Sequence, residues 1–165
     1  MAREIERKYL LKDERWKPLA HKATHFAQGY LTTLDSECKS SVRVRIEGDE
    51  ANINIKSLEI GLSRDEYEYS IPLAEAQKML ATLAVGPVID KTRYHVEFAG
   101  NLWEIDEFHG DNQGLVVAEV ELTSEEQSVE LPDWVALEVT HEKRYYNISL
   151  SQTPYCDWRE DEKHP

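Results

Sequence analysis

Charged side chains recur at every second position in run after run of this chain, and that period constrains its fold more than any other feature. The first run is Glu4-Ile5-Glu6-Arg7-Lys8, continued by Tyr9 and Leu11. Side chains alternate between the faces of a strand, so Glu4, Glu6 and Lys8 share one face, while Ile5, Tyr9 and Leu11 make most of the other. Val42-Arg43-Val44-Arg45-Ile46 repeats the arrangement, with two arginines opposite three β-branched residues. Asn52, Asn54 and Lys56 then share a face, as do Arg64, Glu66 and Glu68, and also Lys91, Arg93, His95 and Glu97. Glu104 with Asp106, and Glu119 with Glu121, complete the series.

These runs give eight expected strands, at 3–11, 24–33, 42–46, 51–56, 64–69, 88–98, 102–108 and 115–122. Turns are expected at 35–40, Gly48-Asp49-Glu50, Glu59-Ile60-Gly61 and Gly100-Asn101. The period changes once, where Leu73, Ala76, Met79, Leu80 and Leu83 mark a helix over 73–84 that Gly86-Pro87 ends. Residues 12–22, with Trp16, Pro18 and Leu19, read as a loop or short helix. Thr123-Ser124-Glu125-Glu126 reads as a helix start, 132–139 as irregular, and Thr140 as the cap of a helix over 141–150. The expectation is one domain over 1–152 and a polar, frayed tail over 153–165. The fold class is α+β, mainly antiparallel β. Short connections between eight strands allow them to close into a barrel, with Tyr67, Tyr69, Tyr94 and Trp103 on its outside, packed beneath helices.

The net charge of −13 over 165 residues argues against nucleic acid and anionic membranes, which need clustered Lys and Arg. An anionic ligand would require positive charge concentrated locally. The longest uncharged run, 79–89, is too short to span a bilayer, and no apolar leader segment precedes Glu4. Cys38 and Cys156 stand far apart, so a disulfide framework or zinc site is not expected and a reducing cytoplasm fits. His141-Glu142-Lys143-Arg144-Tyr145 lacks the second histidine of a zinc helix. His21, His25, His95 and His109 have no partner at ligand spacing.

Two arrangements produce the alternation. One is a solvated sheet face laced with weak ion pairs. The other is a closed barrel with a charged, wet lumen. The basic set would be Lys8, Arg43, Arg45, Lys56, Arg64, Lys91 and Arg93; the acidic set Glu4, Glu6, Glu66, Glu68, Glu104, Asp106, Glu119 and Glu121. The two sets nearly cancel, so most of the excess negative charge lies elsewhere. In such a lumen, cations would grip phosphate oxygens and carboxylates would hold Mg²⁺ or Mn²⁺. Metal held between phosphates and carboxylates can orient a water for attack.

Glu4-Ile5-Glu6-Arg7-Lys8 resembles the ExExK signature of the CYTH superfamily, the triphosphate tunnel metalloenzymes. Further matching pieces follow in the family's order: Gln28-Gly29-Tyr30-Leu31, Val42-Arg43-Val44-Arg45, Ile55-Lys56-Ser57, Arg64-Asp65-Glu66-Tyr67-Glu68, Lys91-Thr92-Arg93-Tyr94, Trp103-Glu104-Ile105-Asp106, Ala118-Glu119-Val120-Glu121 and the segment 138–145. The likeness covers about residues 2–150. It implies an eight-stranded antiparallel tunnel with flanking helices, plugged at one end by a C-terminal helix around 141–150, and binding a small-molecule triphosphate with divalent metal.

By that resemblance Glu4, Glu6, Glu119 and Glu121 are the leading metal ligands, with Asp106 and Glu68 available for a second metal. The basic set binds phosphates, and Lys143 and Arg144 could reach a terminal one. Tyr30 and Lys8 match a pair found in the short bacterial forms that cleave inorganic triphosphate. A lysine that is desolvated or crowded by cations gives up its proton more readily and can serve as a base, so Lys8 held by Tyr30 is expected to help activate water. The expected activity is cleavage of tripolyphosphate to pyrophosphate and phosphate. Thiamine triphosphate, cyclisation of ATP as in class IV adenylyl cyclases, and a non-catalytic polyphosphate or nucleotide binder are the alternatives. A homodimer stays open.

Overall fold

In the computed structural model, residues 2–33, 35, 37–58 and 62–165 are described, Ala2 by its backbone alone. The turn expected at Glu59-Ile60-Gly61 lies outside them, as does part of the turn expected over 35–40. The strands are β1 (Ala2–Leu11), β2 (Lys22–Tyr30), β3 (Ser40–Glu47), β4 (Glu50–Ser57), β5 (Ser63–Ser70), β6 (Ile89–Phe98), β7 (Asn101–Phe108), β8 (Val116–Glu121) and β9 (Val135–Glu138). The helices are α1 (Leu73–Thr82), α2 (Asn147–Gln152) and α3 (Glu160–Lys163).

The first eight strands run antiparallel in the order β5-β4-β3-β2-β6-β7-β8-β1, and β1 returns to pair with β5. The wall is therefore a closed barrel. β1 pairs with β5 along Ala2–Ile5, and β9 then pairs with β1 at Tyr9 and Leu11. Residues 132–139 read as irregular from sequence. They contain β9 because the second half of β1 has backbone groups that β5 has ceased to satisfy.

Closure gives every strand an inner and an outer face. The outer face of β1, β6, β7 and β8 carries Tyr9, Tyr94, Val96, Trp103, Ile105, Ala118 and Val120, covered by Trp16, Trp134 and Val135. α1 covers β3 and β4 through Ala76, Met79 and Leu80 against Val44, Ala51 and Ile53. Gly29 faces this layer between lumen-facing neighbours. A Cβ there would sit 2.9 Å from Leu80 Cδ2 and 3.0 Å from Ala84 Cβ, so glycine is what lets the helix layer approach β2 so closely. Trp103 is buried as expected, whereas Tyr67 and Tyr69 on β5 are 38% and 58% exposed, because α1 stops short of that strand.

Several expectations fail at the C-terminal end. No helix begins at Thr123. The helix expected over 141–150 is instead a 3₁₀ turn, Lys143–Tyr145, followed by α2. Thr140 does not cap it: its hydroxyl accepts from the Lys8 backbone N–H (3.1 Å) and donates to Glu138 (2.7 Å). The tail is not frayed. Tyr155 and Trp158 pack with Tyr145, Ile148 and Leu150 against Ile89, Phe108 and Val117, closing one end of the barrel. Among the described residues no helix is long and apolar enough to cross a membrane.

Candidate active site

The inner face changes chemistry along the barrel axis. At the closed end it is apolar, with Ile89, Phe108 and Val117. One step along β6 and β7 come Lys91 and Asp106, then Arg93 and Glu104. Lys8 lies opposite Glu119 and, further out, Glu6 lies opposite Glu121. A cavity of about 350 Å³ occupies the wider part of this lumen. It is lined by Glu4, Glu6, Lys8, Tyr30, Arg43, Arg45, Lys56, Arg64, Glu66, Glu68, Arg93, Glu104, Glu119 and Glu121, with the neutral Ser41, Asn54, Tyr146 and Asn147 among them. The alternation along each strand is thus the inner face of a closed wall.

Four expected site residues are not on that lining. Lys91 and Asp106 are buried beneath it. Lys91 Nζ donates to Asp106 Oδ2 (2.7 Å); Arg93 donates to Asp106 Oδ1 from Nε (2.7 Å) and to Oδ2 from Nη2 (2.9 Å). Both carboxylate oxygens are thereby occupied. Lys143 and Arg144 point away from the lumen, into a separate surface cleft, where the Arg144 guanidinium lies 5.3 Å from the Trp158 ring. The 3₁₀ turn carries these two side chains outward, a consequence that the expected α-helix concealed.

Lys8 Nζ lies 3.5 Å from Glu119 Oε1, donates to the Tyr145 carbonyl (3.4 Å) and sits 4.7 Å from the Tyr146 ring centre. Tyr30 lines the same cavity, and among the described residues no hydrogen bond joins it to Lys8. Glu4 holds Lys56, whose Nζ is 2.7 Å from Oε2 and 3.1 Å from Oε1, with only the longer contact aligned as a hydrogen bond. Arg64 bridges Glu4 (3.6 Å) and Glu6 (3.3 Å).

The acids divide by their neighbours. Burial acts to raise Glu119 and Asp106, but Lys8, Arg93 and Lys91 overcome it for Glu119, and Arg93 and Lys91 for Asp106, so both fall below the ordinary carboxylate range. Burial is likewise outweighed at Glu4 by Lys56 and Arg64. Glu6 goes the other way: burial, then the charges of Glu119 and Glu4, push it up to about 8. Glu121 also rises, through burial and through Glu4, Glu104 and Glu66. Glu6 and Glu121, which face each other across the sheet, are crowded by acids more than the nearby Lys and Arg offset. They offer only oxygen donors, which suits a hard divalent cation. Among the described residues no three acidic or histidine side chains are already gathered at ligand distance.

The cations show the complementary shortage. Among the described residues Arg43 has no ion-pair partner and its Nε is buried without a hydrogen bond. Arg45 donates from Nε to the neutral Gln28 Oε1 (3.0 Å), and burial with Arg43 and Arg93 nearby lowers it to about 9. The Phe26 ring lies between these groups, its centre 4.7 Å from the Arg45 guanidinium and 5.1 Å from that of Arg93. Phe26, Tyr146 and Asn147 were not legible as site residues, since an uncharged side chain on an alternating strand or in an irregular segment carries no such signal.

The site is thus a closed antiparallel tunnel with crowded inward carboxylates and two inward arginines, Arg43 and Arg45, that lack a carboxylate partner among the described residues. The chain belongs to the CYTH domain family, which it matches over residues 2–155. It is 43% identical over 160 residues to an inorganic triphosphatase of Acetivibrio thermocellus, covering 97% of this chain and all of that one. It is 39% identical over 151 residues to an inorganic triphosphatase of Nitrosomonas europaea, covering 90% and 96%. Among solved structures it is similar to an inorganic triphosphatase at TM-score 0.66 and 35% identity, covering 92% of this chain and 95% of that one. A Hippeastrum protein with a dominant triphosphatase activity shares the fold at TM-score 0.58 and 18% identity, covering 73% and 80%.

Proposed function

We propose that this protein hydrolyses inorganic tripolyphosphate to pyrophosphate and phosphate inside the lumen, with Mg²⁺ or Mn²⁺. Triphosphatase activity, the coarser statement, is supported by two relatives of that name matched over nearly their whole length. The observation that carries the finer reading is the pair Arg43 and Arg45, buried lumen guanidiniums without a carboxylate partner among the described residues. A buried charge left unpaired is costly, and a bound polyanion would complete it.

Arg43, Arg45, Lys56, Arg64 and Arg93 are assigned to the phosphate oxygens. Lys91 and Asp106 are assigned to holding Arg93 and the lumen floor. Glu4, Glu6, Glu119 and Glu121 would hold the metal, with Glu68 further along the lining. The bound cation would offset phosphate charge and polarise water. Lys8 and Tyr30 are assigned to the attacking water, which forms a bond to the terminal phosphorus as the bond from that phosphorus to the bridging oxygen breaks. Phosphate and pyrophosphate result.

A second reading rests on a separate observation. A further cavity shares Glu47 and Glu68 with the lumen and is also lined by Asp49, Glu50, Ile71 and Leu73. An acidic and partly apolar recess suits a cationic aromatic group, as in thiamine triphosphate. Tripolyphosphate, thiamine triphosphate and ATP, each with Mg²⁺, with Mn²⁺ and with excess chelator, separate the readings by release of phosphate, pyrophosphate and cyclic AMP. Metal-dependent phosphate release with the highest kcat/KM on tripolyphosphate is expected. Higher kcat/KM on thiamine triphosphate would favour the second reading, and undiminished activity in chelator would overturn both.

A further inference from the structure

Asn147 opens α2 in the segment that closes the tunnel, and it lines the cavity. Its Oδ1 accepts from Lys91 Nζ (3.1 Å) and from Gln28 Nε2 (3.2 Å). The amide orientation follows from the chemistry of both ends of this chain of bonds. Lys91 Nζ already donates to the Asp106 carboxylate and has a further N–H for the oxygen of Asn147. Arginine can only donate, so Gln28 must turn Oε1 to Arg45 and its NH₂ to Asn147, which again calls for the Asn147 oxygen. The Asn147 NH₂ is therefore left over. Among the described residues it has no hydrogen-bond partner, and it keeps some access to solvent on a residue that lines the cavity.

We propose that Asn147 is a further substrate-binding residue, its Nδ2 donating to a phosphate oxygen while Gln28 and Lys91 hold the amide in place. This rests on the reading of the lumen as a polyphosphate site. It gives the closing segment a direct part in binding: one neutral donor fixed by the same hydrogen-bond chain that orients Arg45. A rigid donor pre-aimed at an anion loses little entropy on binding, and a hydrogen bond to a charged acceptor is stronger than one between neutral groups.

Two substitutions separate this role from a structural one. Asn147→Asp keeps the acceptor for Lys91 and Gln28 but replaces the donor with an anion; Asn147→Ala removes both. Calorimetric titration with inorganic tripolyphosphate, without divalent metal, is expected to show about tenfold weaker binding for Asn147→Ala, the size of one hydrogen bond to a charged acceptor. Asn147→Asp should bind more weakly still, although its thermal melt stays closer to that of the unsubstituted protein than the alanine variant's does. A purely structural asparagine predicts an affinity for Asn147→Ala that matches the unsubstituted protein wherever the variant stays folded. In the unsubstituted protein the side-chain ¹⁵N–¹H₂ signals of Asn147 should shift on titration and saturate with the calorimetric Kd. This readout decides the matter even if Asn147→Ala does not fold. Signals unmoved at saturation, or Asn147→Asp binding as well as or better than Asn147→Ala, would overturn the proposal alone. An unsubstituted protein that fails to bind tripolyphosphate would overturn the functional reading and this inference with it.

Discussion

Asp106 offers the sharpest separation between a metal ligand and a structural counter-ion. Its side chain is 2% exposed and receives three charge-assisted hydrogen bonds of 2.7 to 2.9 Å from Lys91 and Arg93. Asp106→Asn preserves shape and removes the charge, breaking the buried ion pair of Lys91 while Arg93 keeps Glu104 at 3.0 Å. Breaking a buried pair in this way costs about 3–5 kcal/mol. For a chain of this size, 1 kcal/mol moves Tm by about 2–4 °C, so a fall of roughly 6–20 °C is expected. The assay is a thermal melt beside a titration of Mn²⁺ followed by electron paramagnetic resonance. The expected result is a large fall in Tm with Mn²⁺ affinity changed less than about threefold. A Tm within 2 °C of the unsubstituted protein, together with loss of Mn²⁺ binding, would refute the argument and return Asp106 to the ligand set.

Other expectations are as direct. Glu6 has an ordinary carboxylate value when unfolded and about 8 when folded, so the folded state holds an extra proton between those limits. Its contribution to stability is therefore complete below about pH 4.5 and lost as pH rises through 8. Urea denaturation at pH 6 and pH 8.5 should show a smaller pH dependence in Glu6→Gln than in the unsubstituted protein, and identical slopes would contradict the assignment. Lys8→Ala and Tyr30→Phe should each lower kcat on tripolyphosphate more than they raise KM; equal effects on both constants would argue against their role at the water. Gly29→Ala places a methyl group against Leu80 and Ala84 and should cost about 1–3 kcal/mol in chemical denaturation, whereas a neutral result would mean the helix layer yields freely. Trp158→Ala should destabilise by about 3–5 kcal/mol, and a melt unchanged by it would restore the view of 153–165 as a loose tail.

Most of the wall was legible because a period of two survives in the sequence wherever one face of a strand is apolar and the other is not. Arg43 and Arg45 against Val42, Val44 and Ile46 are the clearest case. The pattern gives which face a residue occupies, but not its depth along the barrel. Asp106 and Glu104 share a face, yet one lies beneath Arg93 among buried groups and the other lines the cavity. β9 was illegible because four residues show little periodicity, and its pairing depends on where β5 leaves the edge of β1. Lys143 and Arg144 were misplaced because a 3₁₀ turn and an α-helix send the same residues in different directions. Tyr155 and Trp158 lie in a polar stretch whose composition hides two anchors of the closing layer.

The central claim is that tripolyphosphate and a divalent cation meet inside the barrel. A crystal structure of the protein soaked with Mn²⁺ and tripolyphosphate, recorded at a wavelength where manganese scatters anomalously, tests it most directly. The account predicts anomalous density beside Glu4, Glu6, Glu119 and Glu121 and phosphate density among Arg43, Arg45, Arg64 and Arg93. Manganese and phosphate bound outside, for instance in the cleft of Lys143 and Arg144, with the lumen holding only water, would contradict it.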